Sequence, residues 1–254
     1  MLLHSNILGQ GPAFVILHGF LGMGDNWKTL GKQFSEEGFQ VHLVDQRNHG
    51  HSFHDDEFNY QVLVKDLKAY CQAHQLNNII LLGHSMGGKA AMLFAVKYPD
   101  LVSKLIIADI SPRFYPGHHK DILDGLSALD FDEISSRGEA DEILQEYVPE
   151  IGTRQFLLKN LYWKAKGTLA LRINLDVLKA NDSEIGEELP MFTEFNEDTL
   201  FLRGEKSEYI VDQDQTLIKK HFPNSKIVTI ANAGHWLHAE NPKDFFESVM
   251  MFIK

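Results

Sequence analysis

The chain has 254 residues, a formal net charge of −11, one cysteine, and 44% hydrophobic against 23% charged residues. This length suits one α/β domain with an insertion, and an acidic balance without basic clusters argues against nucleic acid or an anionic membrane surface as partner. Cys71 has no second cysteine to pair with, Met1-Leu2-Leu3-His4 lacks a signal peptide's basic start, and no apolar run nears the roughly 20 residues that cross a bilayer, so a cytoplasmic protein is expected.

In chain order, residues 2–8 predict an edge strand, closed by the turn Gly9-Gln10-Gly11-Pro12. Ala13-Phe14-Val15-Ile16-Leu17 is a continuous apolar run, the pattern of a strand buried on both faces of a parallel sheet, and it exits through His18-Gly19-Phe20-Leu21-Gly22. A helix follows over 25–37, with Asp25 or Asn26 as its cap and Gly38 as its stop. The strand 41–45 leads into Gln46-Arg47-Asn48-His49-Gly50, and 60–74 has helical spacing at Leu63, Leu67 and Tyr70 or Cys71. Strand 79–82 runs into Gly83-His84-Ser85-Met86-Gly87-Gly88 and a helix that ends before Pro99; strand 104–108 ends at Asp109.

The composition then changes. Residues 113–185 carry charged, helix-like segments (120–129, 139–147 and 153–164) without a buried parallel strand, which reads as a helical cap inserted between core segments 1–112 and 186–254. Alternation resumes with strand 199–202, a helix over 212–221, strand 226–230 and a last helix that Asn241 caps and Pro242 begins. Phe245, Phe246, Val249, Met250 and Ile253 form one stripe on it. Strands alternating with helices predict an α/β fold with a doubly wound, mostly parallel sheet.

His18, Arg47, Ser85, Asp109, Ser207 and His235 all fall just beyond the carboxyl end of a predicted strand, the edge where open α/β sheets bind ligands. Gly83-x-Ser85-x-Gly87 lets the chain turn sharply from strand to helix and holds Ser85 at the tip, with the Met86 amide in the first helical turn as an oxyanion donor. A serine at neutral pH needs a base, and a histidine has the suitable pKa. Of thirteen histidines, His235 leads because it follows the last strand, where Gly234 is read as freeing the loop. His238 is expected at the surface or capping the next helix, and His4, His42, His54, His74 and His221 have surface or packing explanations. The backbone amide of Phe20 is the second oxyanion donor in such an arrangement. The His, Asp and Cys residues show no zinc-like spacing, and neither a metal nor an organic cofactor is called for.

With these stretches, Asp45-Gln46-Arg47-Asn48-His49-Gly50, Asp109-Ile110-Ser111-Pro112, Arg203-Gly204-Glu205-Lys206-Ser207 and Gly234-His235-Trp236, the chain resembles an α/β-hydrolase, and more narrowly the ybfF-type bacterial esterases. In most such enzymes a carboxylate stands three residues after a glycine beyond the penultimate strand; here Gly204-x-x-Ser207 puts a hydroxyl there. The resemblance implies that Asp109 takes over, with Ser207 as a hydrogen-bonding partner of His235. Glu205, Glu208 and Asp212 are rival acids, Asp212 also as a helix cap, and Asp109 could instead cap the turn before Pro112. Arg47 and Asn48 are expected to brace loops near Ser85, whereas Lys89 and Arg113, with His118 and His119 at the start of the cap, are candidate substrate contacts.

The resemblance thus implies a serine carboxylesterase acting on small to medium acyl esters, and admits acyl thioesters including acyl-CoA. Two alternatives stand beside it: a lyase like the menaquinone-pathway synthase, which shares the His-Gly-Phe-Leu-Gly exit, and a hydrolase fold kept for ligand binding. An aspartate at position 85 would instead point to dehalogenase or epoxide hydrolase chemistry. The partner is a small molecule, and the sequence carries no signal of oligomeric state.

Overall fold

The computed structural model describes residues 1–117 and 119–254. Nine strands and eleven α-helices are found among them. The sheet strands are β1 (Ser5–Leu8), β2 (Ala13–Leu17), β3 (Gln40–Val44), β4 (Ile79–His84), β5 (Val102–Ala108), β8 (Thr199–Gly204) and β9 (Ser225–Ile230), in spatial order β1-β3-β2-β4-β5-β8-β9. Only β1 is antiparallel to its neighbour, and it occupies the edge. The inner strands are continuous apolar runs because both faces are covered. Phe14 and Ile16 pack with Trp27, Leu30, Phe34, Phe245 and Val249 on one side, while Val15 and Leu17 join the opposite cluster with Leu63, Leu67, Ala91 and Phe94.

The first cover is α1 (Lys28–Glu36) and α11 (Pro242–Ile253), and the second is α2 (Tyr60–Ala73) and α3 (Met86–Lys97). The chain leaves β2 toward β3 on one side and returns to β4 on the other, so the crevice between β2 and β4 is the topological switch point. The His18 loop and Ser85 meet there. α9 (Asp214–His221) lies between β8 and β9 in the chain, and a short α10 (Leu237–Glu240) precedes α11.

Several boundaries differ from the sequence expectation for identifiable reasons. Asp25 and Asn26 do not cap an α-helix directly: residues Gly24–Trp27 form a 3-10 turn in which the Asn26 side chain accepts the Met23 amide (2.8 Å), while Asp25 pairs with Lys28 (2.9 Å). Asp212 is not a helix cap; it pairs with Arg203 (2.6 Å), and Asp214 accepts the Val211 amide (3.0 Å) before α9.

Between β5 and β8 lie α4 (Lys120–Ser127), α5 (Arg137–Tyr147), α6 (Ile151–Leu158), α7 (Leu175–Ala180) and α8 (Asp182–Ile185). They are joined by a hairpin of β6 (Leu161–Ala165) and β7 (Thr168–Leu171), so this segment is not purely helical and 153–164 is not one helix. Helix α6 stops because the fully buried Asn160 donates to the Leu157 and Leu21 carbonyls; the β-favouring Tyr162 and Trp163 then follow, and Gly167 at φ 80° makes the hairpin turn.

Candidate active site

Ser85 sits directly after β4 with φ 53° and ψ −119°, a left-handed backbone that a non-glycine residue adopts only when its surroundings enforce it. The enforcement is visible in the flanking glycines. A Cβ on Gly83 would stand 2.2 Å from the Gly87 carbonyl, and one on Gly87 would stand 2.5 Å from the Leu17 and His18 carbonyls. The elbow therefore presses against the end of β2, which brings the loop 18–22 beside the serine.

Ser85 Oγ lies 3.0 Å from His235 Nε2, and His235 Nδ1–H donates to Asp109 Oδ2 at 2.8 Å. Asp109 follows β5, is fully buried, and also has a positive φ (53°). Its other oxygen accepts the Gly204 amide (3.0 Å). Ser207 donates to Oδ2 of Asp109, so its hydroxyl serves the carboxylate and not, as expected, the imidazole. The rival acids lie elsewhere: Glu205 accepts the Asn232 amide (2.7 Å), and Glu208 and Asp212 are exposed, Asp212 pairing with Arg203. Gly234 is not the glycine the turn requires, since its φ is not positive and a Cβ there would meet nothing closer than 3.4 Å; Gly204 is, because its Cβ would stand 2.2 Å from the Gly234 carbonyl.

The loop 18–22 is held from several sides. His18 Nδ1–H donates to the Gly19 carbonyl (2.8 Å) while Nε2 accepts the Gln46 amide (3.0 Å). His49 Nε2 accepts the Leu21 amide (3.2 Å), which requires a neutral ring; burial together with nearby His18 pushes His49 down to about 3. Among the described residues, the Phe20 and Met86 amides reach no protein acceptor. Arg47 grips Asp66 through Nε (2.5 Å) and Nη2 (3.0 Å), and Asn48 exchanges hydrogen bonds with the Asp55 backbone (3.0 and 2.8 Å). Both residues tie down the loop after β3.

A cavity of about 230 Å³ opens over Ser85. Phe20, Leu21, Trp27, Ile122, Phe156 and Trp236 supply its apolar lining, and no Lys, Arg, Asp or Glu among the described residues contributes to it. His119 lines it too, with Nδ1 donating to Asp182 (2.8 Å); the other histidine expected at the start of the cap, His118, lies outside the described residues.

Lys89 and Arg113 are corrections to the expected substrate contacts, because neither lines this cavity. Arg113 pairs with Asp214 (3.1 Å) and stacks over Tyr115. Lys89 is buried, donates to the carbonyls of Arg113 and Glu187, and faces the Tyr115 ring at 5.0 Å, so it clasps the chain that leaves β5 to the chain that approaches β8. Burial, with Arg113 adding repulsion, pushes its ammonium down to about 7. Between pH 7 and 9 the unfolded chain then holds more protons at this site than the folded one, so this group's contribution to stability rises with pH. Urea unfolding is expected to show that rise in the difference between wild type and Lys89→Met, and parallel pH profiles would contradict it.

Three features were missed in the sequence. Tyr209 stacks on the His235 ring (centroids 3.9 Å apart, 18° between planes), and burial beside Asp109 pushes its phenol up to about 12. His84 Nε2–H donates to the His235 carbonyl (2.8 Å). His238, expected at the surface, is buried and stacked on Trp27 (4.1 Å). Burial, with repulsion among these imidazoles, holds His84 well below its ordinary range and pushes His238 down to about 3, so both stay neutral beside His235. Ser85 alone had a local motif; these three depend on how distant segments meet.

A switch-point crevice carrying a serine elbow, with a histidine and a buried carboxylate from later strands, defines a hydrolase class. A family model described as alpha/beta hydrolase fold matches residues 12–137, and the chain belongs to that family. Among curated relatives, a putative esterase/lipase of Haemophilus influenzae is 37% identical over 95% of this chain and 83% of its own. The sn-1-specific diacylglycerol lipase ABHD11 of Mus musculus is 37% identical over 95% and 81%, and the esterase YbfF of Escherichia coli 31% over 94% and 92%. A solved marine microorganism esterase superposes with a TM-score of 0.96 at 40% identity, covering 99% of both chains. The chain is thus an ester-hydrolysing enzyme of the esterase/lipase type. No helix among the described residues is long and apolar enough to cross a membrane.

Proposed function

We propose that this enzyme is a serine carboxylesterase that cleaves small to medium, uncharged acyl esters through an acyl-enzyme on Ser85. The observation that carries the reading is the run Ser85–His235–Asp109, at 3.0 and 2.8 Å, on the floor of an apolar cavity whose described lining holds no charged side chain. Ser85 Oγ attacks the acyl carbonyl carbon as His235 Nε2 takes its proton, and Asp109 stabilises the imidazolium. The amides of Phe20 and Met86 receive the oxyanion. His235 returns the proton to the leaving alcohol, and water repeats the sequence to release the acid. Arg47 and Asn48 keep the neighbouring loop in place, and residues 113–185 act as a cap over the core formed by 1–112 and 186–254. The buried Cys71 thiol, pushed up to about 12 by burial, suits a reducing compartment, and we place the enzyme in the cytoplasm.

The lining also orders the alternatives. A thioester of a small thiol can react in the same way, whereas no Lys or Arg among the described residues lines the cavity to draw in the phosphates of an acyl-CoA. The lyase reading relies on a basic residue near Lys89, whose ammonium is spent on two carbonyls. A pure binding role leaves the hydrogen-bonded run without purpose. A panel of p-nitrophenyl esters of increasing chain length and matched acyl-CoA thioesters tests the reading. Short and medium esters should turn over in a Ser85-dependent way, with kcat/KM about tenfold or more above that of the acyl-CoAs, the effect of missing one charge-assisted contact. Absence of Ser85-dependent turnover on every ester would overturn it.

A further inference from the structure

The carboxylate of Asp45, at the end of β3, lies away from the Ser85 cavity and is built into an unusual arrangement. Its Oδ2 faces Nδ1 of His4 at 3.1 Å and Nδ1 of His51 at 3.4 Å, and the three ligand atoms all lie within 4.8 Å of one another. The two imidazoles are 39% and 42% exposed, free to turn elsewhere, yet both aim the same nitrogen at one buried oxygen. Oδ2 accepts both the His51 amide (2.9 Å) and His4 Nδ1–H (3.1 Å), so the second imidazole, His51, turns its Nδ1 to within 3.4 Å of an oxygen that already holds two donors.

The surrounding backbone is organised for the convergence. Asp45 Oδ1 accepts the Gly24 amide (2.6 Å), and the Asp45 amide donates to the His4 carbonyl (2.9 Å). Ser52 accepts the His4 amide (2.8 Å) and donates to the Asp45 carbonyl (2.5 Å). Gly50, at φ 58°, wraps the turn so tightly that a Cβ there would stand 2.4 Å from the carboxylate. The carboxylate is thus oriented by backbone amides, the kind of outer support that fixes metal ligands.

From this geometry we propose that His4, Asp45 and His51 form a binding site for a divalent transition-metal ion such as Zn2+, with solvent in the fourth position. Two donors at about 2.0–2.1 Å from a tetrahedral Zn2+ stand roughly 3.3–3.4 Å apart; the two imidazole-to-carboxylate spacings, 3.1 and 3.4 Å, are close to this, and the two imidazole nitrogens lie within 4.8 Å of each other. Two imidazoles and one carboxylate suit Zn2+ better than Mg2+ or Ca2+, which prefer all-oxygen sites. The ion would clip the segment before β1 to the loop after β3 and, through Gly24, to the turn that follows loop 18–22.

The test is titration of the tag-free, full-length protein with Zn2+ by calorimetry, and with Co2+ by the visible absorption that tetrahedral coordination produces. One equivalent is expected to bind and to raise the thermal midpoint. His51→Ala and His4→Ala, each checked for an unchanged midpoint without metal, should weaken binding by about tenfold or more, while His54→Ala should not. Binding of equal strength in both variants would place the ion elsewhere, including at the histidines around Ser85, and would overturn the proposal. So would failure of the wild type to bind.

Discussion

Ser85→Ala is expected to lower kcat on p-nitrophenyl esters by about 10⁶-fold while leaving the thermal midpoint within a few degrees of wild type. The loss is large because, among the described residues, Ser85 Oγ is the hydroxyl within hydrogen-bonding reach of His235 Nε2. Little else changes, because the Ser85 side chain makes no cap contact at the start of α3 and its strained backbone is enforced by Gly83 and Gly87, which the variant keeps. Activity above this residual level, measured on protein free of wild-type contamination, would mean that ester cleavage does not pass through Ser85.

The second large effect lies in how His235 is held. Asp109→Asn is expected to lower kcat by about 10⁴-fold with the fold intact, since asparagine tolerates the positive φ at this position. The Gly204 amide needs an acceptor at one terminal atom of residue 109. An asparagine therefore places its carbonyl there and its NH2 toward His235 Nδ1. The imidazole then carries its proton on Nε2, which can no longer take one from Ser85. Ser207→Ala removes only one donor to the carboxylate and should cost about ten- to a hundredfold. Equal losses in the two variants would mean that Ser207, standing where related enzymes carry an acid, matters as much as Asp109.

The central strands were legible because burial on both faces leaves unbroken apolar runs such as 13–17 and 79–82. The serine elbow was legible because its steric demands fall on neighbours in sequence, Gly83 and Gly87. Legibility faded where an interaction joins distant segments. Asp109 is favoured through resemblance and not through any local pattern, and whether Ser207 bonds the imidazole or the carboxylate depends on how the loops after β5, β8 and β9 meet. Residues 153–164 read as a helix because nothing local shows that Asn160 will bond the Leu21 carbonyl, far away in the chain. Lys89 reads as available for substrate because a helical wheel does not show that the chain between β5 and β8 places two carbonyls over it. His238 and Tyr209 have ordinary sequence surroundings, and only the packing around Trp27 and His235 gives them their positions.

A covalent intermediate on Ser85 can be trapped with a serine-directed fluorophosphonate and located by peptide mass spectrometry. Esterase activity is expected to fall in step with one adduct per chain, on the peptide bearing Ser85, with no adduct in Ser85→Ala. Full inactivation with the adduct on another residue, or full activity with Ser85 modified, would contradict it.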